Sequence, residues 1–384
     1  MNILFVSHSS STYGAENSLS DLLEHSLKSK WTPVVICPAN GPLIARLRRY
    51  GIKAYVFPHY PWYSHNRSLL KHCVKAILHR VGAAYLGVLH KKHQFSLVYS
   101  NTLASFIGSA FASRRRIPHI WHLHEFLGQN IPATFDMGES ASMRYLKLVS
   151  DKVIFNSETT RAWYAGQISD SKGIVIPNGL AARYFDAFDR RVLRSGNRPF
   201  HLSVIGKVVP IKKVEVALNA LARLQADANM KYVLNIVGDG DARYVAFLRK
   251  EADSLGISAS IEWHGYQEDP LPFYLMSDAV LINSHLETFS RSACEAMATG
   301  CPVVVSDVGE PRRYIIEGET GCVYPVGDCA SLAGQVQKLV RDRALVNCIV
   351  SRAHEYAKEN WAVDTYALRI ASVIDEVVGN HASK

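Results

Sequence analysis

Two glutamates eight positions apart, Glu287 and Glu295, lie in the stretch HLETFSRSACEAMATGCPVVV, residues 285–305. The first follows AVLINSH, which reads as a strand, so Glu287 falls in the loop at that strand's end. TFSRS then offers backbone N–H groups at a helix start, where amides and the positive dipole end hold anions. With a helix from about 289 to 298, Glu295 stands near two turns in. A carboxylate there can accept two hydrogen bonds from adjacent hydroxyls, as a ribose diol presents them. Phosphates at the helix start, ribose farther along and a sugar at the Glu287 loop together describe a nucleotide-sugar. Earlier in the chain, VIGKVVPIKK ends a strand and opens a helix, placing Lys207 and Lys212 on the loop between them. Cations are unfavourable beside a helix N-terminus, so a phosphate shared with the amides is expected there.

Other chemistries are poorly supported. VGDGDAR contains a D-x-D, Asp239 and Asp241, and two glycines, Gly238 and Gly240, resembling half a dinucleotide fingerprint. A third glycine and a following acid are missing. Asp241 as the N-cap of the next helix explains the stretch better, and no metal site is expected. The seven cysteines form no C-x-x-C pair and are odd in number, which favours reduced thiols in a cytoplasm over zinc or disulfides. MNILFVSH begins as an apolar strand with no basic leader, so no signal peptide is expected. No run approaches the roughly 18 apolar residues of a membrane span.

These residues need a scaffold. NILFVSH, TPVVICP, KAYVFP, SLVYSN, PHIWHLH, KVIFNS and GIVIPNG are short strand-like runs with amphipathic stretches between them. That grammar describes a parallel sheet covered on both faces. Residues 186–199, DAFDRRVLRSGNRP, read as a polar linker, and the same alternation then restarts at HLSVIGK. The expected fold is α/β: two doubly wound, Rossmann-like domains facing across a cleft where strand ends hold ligands. The domains are placed at 1–190 and 199–358, with a helix over 359–384 crossing back to the first.

Charge is unevenly spread. Residues 1–198 carry 25 Lys and Arg against 11 Asp and Glu, while residues 199–384 carry 18 against 23. No acid occurs between Glu24 and Glu125, a span holding fifteen Lys or Arg and ten His. Such a one-sided field attracts an anionic partner. Within it, NRSLLKHCVKAILHRVGAAYLGVLHKKHQ, residues 66–94, has helical apolar spacing with Lys71, Lys75, Arg80, Lys91 and Lys92, and Arg114, Arg115 and Arg116 follow. Residues 66–116 are therefore expected to meet an anionic membrane surface, at about 1 kcal/mol per basic residue. Nucleic acid is not expected: no recognised motif is present, and the aromatics are not interleaved with the basic run.

The whole series of motifs resembles the GT-B glycosyltransferases of family 4, the E-x7-E group of retaining enzymes that use nucleotide-diphosphate sugars. YGAENSLSDLL is similar to their glycine loop, PHIWHLHEF to their histidine-acid strand end, and VIPNGL to their Asn-Gly element. VIGKVVPIKK, IVGDG, EWHGY, EAMATGCPVV and EGETGCVYP follow in the family's order. The resemblance implies transfer, with retention and without a metal or other cofactor, from a UDP- or GDP-sugar to a lipid-linked or saccharide acceptor. It implies a place in bacterial surface-glycan synthesis and a cytoplasmic site at the inner membrane face. Lys207, Lys212, Glu287 and His124 take catalytic roles on this reading. Gly14, Gly265, Tyr266, Thr288, Phe289, Ser290 and Glu295 join Lys207, Lys212 and Glu287 around the donor, and Tyr13, Glu16, His124 and Asn178 line the acceptor side.

The chain departs from the family's pattern at several positions. Lys207 stands where arginine is usual, a point charge in place of a planar fork. Lys213, Thr288 and Ser290 replace glycines, and Tyr13 leaves Gly14 alone in its loop. Thr288 and Ser290 either narrow the room around the sugar or restrict the loop's φ angles. A nucleotide-sugar epimerase of the same architecture is the alternative chemistry, and a non-catalytic anion- or nucleic-acid-binding protein the alternative class.

Overall fold

A computed structural model describes residues 1–26, 30–64, 69–127, 133–190, 198–226 and 230–382, with the side chains of 69–73 and 382 excepted. The chain divides into two compact units, Met1–Gly179 with Val363–Lys384, and Leu180–Ala362.

The first unit opens with β1 (Asn2–Ser7), α1 (Gly14–Ser26), β2 (Thr32–Cys37), α2 (Pro42–Arg49), β3 (Lys53–Val56) and β4 (Tyr63–Ser64). It continues through α3 (Leu69–His93), β5 (Phe95–Asn101), α4 (Phe106–Arg115), β6 (His119–Leu123), β7 (Thr134–Phe135) and α5 (Glu139–Val149). The elements β8 (Lys152–Phe155), α6 (Glu158–Trp163) and β9 (Gly173–Val175) follow. Seven strands form a parallel sheet in the order β3-β2-β1-β5-β6-β8-β9, and β4 and β7 pair as a short antiparallel ribbon. Alternate residues of β1 enter opposite cores: Ile3 and Phe5 join one cluster, Leu4 and Val6 the other. That two-sided burial follows from strand periodicity and explains the unbroken apolar runs.

The second unit begins with α7 (Ala182–Asp186), β10 (Phe200–Ile205), α8 (Val214–Leu224), β11 (Tyr232–Val237), α9 (Ala242–Ser254) and β12 (Ile261–Gly265). Next come α10 (Leu271–Met276), β13 (Ala279–Ile282), α11 (Arg291–Ala298), β14 (Val303–Ser306), α12 (Pro311–Tyr314) and β15 (Cys322–Tyr324). The helices α13 (Cys329–Arg341) and α14 (Arg343–Trp361) close this unit, and α15 (Val363–Ala382) belongs to the first. Its six-stranded parallel sheet runs β12-β11-β10-β13-β14-β15.

The division differs from the expected boundaries. Residues 180–190, assigned to the first domain from sequence, pack in the second, where the Leu180 N–H bonds the Trp361 carbonyl at 2.7 Å. Residues 359–362 also stay with the second unit. Of the expected linker, 191–197 lie outside the described residues, while Ala182–Asp186 and Phe188–Arg190 are helical. The basic segment forms α3 from Leu69 onward; residues 66–68 and the Lys71 side chain lie outside the described residues.

Candidate active site

Open parallel sheets bind ligands where strand order reverses, because loops from neighbouring strands diverge there. In the second unit that point lies between β10 and β13. The loop after β10 carries Lys207 and Lys212, and the loop after β13 carries Glu287. The His285 N–H ties the two loops together through the Ile211 carbonyl at 2.9 Å. Across this junction Lys212 Nζ donates to Glu287 Oε1 at 2.5 Å, and the Ser284 hydroxyl donates to the same oxygen at 2.6 Å. Glu287 is buried, and its Oε2 accepts no hydrogen bond among the described residues. Lys207 is exposed on the same loop.

Glycines set the neighbouring backbone. A Cβ on Gly238 would sit 1.9 Å from the Gly206 carbonyl oxygen, so the β10 and β11 loops touch main chain to main chain. A Cβ on Gly309 would sit 2.1 Å from the Glu287 carbonyl oxygen, which also accepts the Glu310 N–H at 3.1 Å. Gly265 ends β12 at φ 63° and its carbonyl accepts the Gly238 N–H; Tyr266 follows, exposed. Asp241 caps α9 by accepting the Tyr244 N–H at 2.8 Å, as its sequence position predicted.

The helix after Glu287 starts two residues later than expected, at Arg291, so Glu295 is its fifth residue rather than two turns in. Both carboxylate oxygens of Glu295 already have donors: Arg291 Nε to Oε1 at 2.6 Å and the Tyr274 hydroxyl to Oε2 at 2.7 Å. Burial and the adjacent Glu295 charge hold the Tyr274 phenol well above its usual pKa, so it remains a donor. Each oxygen keeps a second lone pair for a further donor. Phe289, expected to offer its backbone amide to the donor, has its side chain in the core beside Trp361, and its carbonyl accepts from the Tyr314 hydroxyl at 2.8 Å.

Backbone geometry separates the glycine replacements. Ser290 caps α11 at φ 63° and Lys213 precedes α8 at φ 48°, both left-handed positions that glycine occupies without strain. Thr288 has no positive φ, so its side chain adds bulk without backbone cost. The Ser290 hydroxyl is buried and meets no hydrogen-bond partner among the described residues.

In the first unit, strand order reverses between β1 and β5, and His124, which follows β6, reaches Asn101 at the end of β5. His124 is buried, with Nε2 3.1 Å from Asn101 Oδ1 and Nδ1 3.4 Å from Asn178 Nδ2. A neutral ring with its proton on Nε2 satisfies both contacts. Asn178 Oδ1 is buried without a partner among the described residues. Glu16, in the first turn of α1, is buried with Oε1 3.4 Å from His8 Nδ1. Tyr13 is half-buried and Gly14, expected at the donor, is an exposed first residue of α1 in this unit.

Glu125 fixes the turn after β5 by accepting from the Leu103 N–H at 2.9 Å and the His124 N–H at 3.2 Å. Burial raises its carboxyl to about 6 despite His8 and those two amides, which pull it down. His122, its ring 4.1 Å from that of His124, is pushed down to about 3 by burial and stays neutral.

Sequence reading missed Tyr274, Ser284, Arg291, Gly309 and Asn101. Only Arg291 left a signal, its i,i+4 spacing to Glu295.

Two parallel-sheet units, each with polar side chains gathered at its own strand-order reversal, define the GT-B class of glycosyltransferase architecture. Residues 12–183 match Glycosyltransferase Family 4 and residues 185–359 match Glycosyl transferases group 1. The chain belongs to this glycosyltransferase family.

A lipopolysaccharide core biosynthesis glycosyltransferase, LpsE of Rhizobium meliloti, is 30% identical over 182 residues, 47% of this chain and 51% of LpsE. A D-inositol 3-phosphate glycosyltransferase of Streptomyces bingchenggensis is 26% identical over 325 residues, 79% of this chain and 71% of that one. The chain thus spans about half the length of the first of these relatives. HepE of Anabaena, solved with UDP and glucose, shares the fold with a TM-score of 0.79 and 23% identity over 98% of this chain and 99% of HepE.

Proposed function

We propose that this protein is a retaining glycosyltransferase that moves a sugar from a UDP- or GDP-sugar to a lipid-linked or saccharide acceptor in surface-glycan synthesis. The Lys212–Glu287 pair at the strand-order reversal of the second unit carries this reading. A diphosphate would draw Lys212 from Glu287, leaving Glu287 to accept sugar hydroxyls, while Glu295 accepts from the ribose. As the anomeric C–O bond breaks, its electron pair goes to the departing phosphate oxygen. Lys212, Lys207 and the first amides of α11 would stabilise the charge that grows there, a preorganised arrangement that needs no metal. Attack by the acceptor hydroxyl from the leaving group's face retains configuration and places the acceptor proton beside a phosphate oxygen that can take it. The Ser290 hydroxyl, buried at the helix start, would be a further donor to the diphosphate.

The names of LpsE and of the HepE complex with UDP and glucose support a surface-glycan role and a UDP-sugar donor. The test follows labelled sugar from UDP- and GDP-sugars into a lipid extract. Label in the lipid fraction is expected, whereas an isomerised sugar formed without acceptor would replace transfer by epimerisation.

The basic first unit supports an anionic bilayer as a second partner. On α3, Val74, Ile77, Val81 and Val88 are exposed at helical spacing, with Arg80, Lys91 and Lys92 also exposed. An apolar stripe bordered by cations suits the interface of an anionic leaflet. Co-sedimentation with phosphatidylglycerol vesicles at low salt is expected, and its absence would remove this partner.

A further inference from the structure

An open cavity of about 460 Å³ lies in the first unit between α3, α4 and α5. None of its lining residues belongs to the candidate active site. Its walls are aromatic: Trp62 stacks on Phe106 at 5.2 Å, His79 lies 4.8 Å from Phe106, and Tyr145 lies 5.2 Å from Phe106. These rings spend polar atoms elsewhere. Trp62 Nε1 donates to the Leu103 carbonyl at 2.7 Å, His79 Nε2 to that of Tyr60 at 3.1 Å, and the Tyr145 hydroxyl meets Ser109 at 3.3 Å. Burial lowers the His79 pKa, so this ring adds no charge. Ala110 lines the cavity from α4 with a methyl group only.

The lining is charged where it is exposed. Lys75 and Asp136 neutralise each other at 3.0 Å, but Arg80 and Arg114 are exposed and have no carboxylate partner among the described residues. Met137, 47% exposed, adds an apolar edge. A mostly apolar cavity of this volume, inside the usual ligand-pocket range of about 300–1,000 Å³, fits a flexible apolar chain. Two guanidinium groups beside it, with no carboxylate partner among the described residues, fit an anionic head. The same helix supplies both features: its apolar stripe is exposed, and Lys75, Ala76, His79 and Arg80 line the cavity.

We propose that this cavity holds a hydrocarbon chain of an anionic lipid drawn from the bilayer beneath α3, with the head group between Arg80 and Arg114. This rests on the membrane reading above, and deepens it from a surface to a site. A link to the candidate acceptor side exists within the unit. Trp62 holds the Leu103 carbonyl, and Glu125, next to His124, holds the Leu103 N–H.

Calorimetric titration of the full chain with inorganic phosphate, octyl phosphate and dodecyl phosphate, below their micelle concentrations, tests the site without any bilayer. Burying four more methylenes should tighten dodecyl over octyl phosphate by on the order of a hundredfold. Heat from inorganic phosphate, which Lys207 and Lys212 also attract, should be the same in the wild type and in Arg80→Glu with Arg114→Glu. Ala110→Trp, which fills the cavity, should abolish the chain-length difference. The double variant Arg80→Glu with Arg114→Glu changes only exposed side chains, and should weaken both alkyl phosphates tenfold or more while keeping their ratio. Equal affinity for the two chains, or affinities unchanged in the charge-reversed variant, would overturn the proposal. Because no vesicle is present, the two failures are distinguishable: failure here removes the site and leaves the co-sedimentation result standing, whereas failure there removes the bilayer as the source of the lipid.

Discussion

Ser290 and Lys213 hold side chains at left-handed backbone positions, and that choice has a measurable cost. An L-residue in this region is strained by about 1–2 kcal/mol, partly offset by the entropy that glycine would lose on folding. Ser290 also buries an unpartnered hydroxyl. Ser290→Gly should therefore raise the melting temperature of the ligand-free protein by about 2–4 °C in scanning calorimetry, and Lys213→Gly should raise it less. A fall in either would contradict the strain account. Ser290→Ala keeps the backbone strain and removes the hydroxyl. Weaker donor binding without lost stability would assign that oxygen to the ligand.

Glu125 yields a pH prediction of the opposite kind. Its folded carboxyl titrates at about 6, above the ordinary value of 4.5, so the fold favours the protonated form. The stability this gives is fully present below pH 4.5 and is lost as pH rises through 6. Glu125→Gln should thus match wild type at pH 4 and exceed it at pH 7, by comparing denaturation midpoints. A constant difference across that range would show that the carboxyl's charge is not what the fold resists. At this scale the sequence revealed which residues matter more clearly than how they are held. Asp241 was legible as a cap because capping is local. The Tyr274 hydroxyl on Glu295 was not, since it crosses between elements 21 residues apart.

The two loops at the reversal of the second sheet owe their closeness to main-chain contacts that tolerate no side chain. Gly238→Ala would drive a Cβ to 1.9 Å from the Gly206 oxygen at a φ of 141°. A loss of about 3 kcal/mol or more is expected, lowering the midpoint of this unit by about 6 °C or more. Unchanged melting would mean that the loops can part freely. Strand positions were readable because buried parallel strands leave apolar runs, and each candidate loop was found by following such a run. The start of α11 was misread by two residues, because Ser290 takes the left-handed conformation that a side chain ordinarily avoids. The contact of Gly309 with Glu287 left no local trace; it joins loops that follow different strands, β13 and β14.

Over the whole molecule, the second unit is one continuous segment set inside the sequence of the first. The helix α15 contributes Tyr366, Ile370, Val373, Ile374 and Val377 to a core that also holds Ile3 and Phe5. Truncation after Ala362 should lower the melting transition of the first unit while that of the second persists. Loss of both transitions together would contradict the division at 179/180 and 362/363. The polar run at 186–199 suggested a border because polarity marks exposed chain. The observed border instead follows backbone pairing of Leu180 with the segment ending at Ala362.

Donor recognition by the second unit can be read from a thermal-shift titration with nucleotide-diphosphate sugars. At a hundred times its Kd, a ligand of the folded state adds about 2.7 kcal/mol, a rise of about 5–10 °C in melting temperature. Glu295→Ala is itself destabilising, since it removes the acceptor of the Arg291 Nε and of the buried Tyr274 hydroxyl, so the shift on adding ligand is compared rather than the baseline. A UDP- or GDP-sugar should raise the wild-type midpoint, Glu295→Ala should abolish the rise, and Lys212→Ala should reduce it. No shift with any such sugar, or an undiminished shift in Glu295→Ala, would contradict donor recognition by this unit.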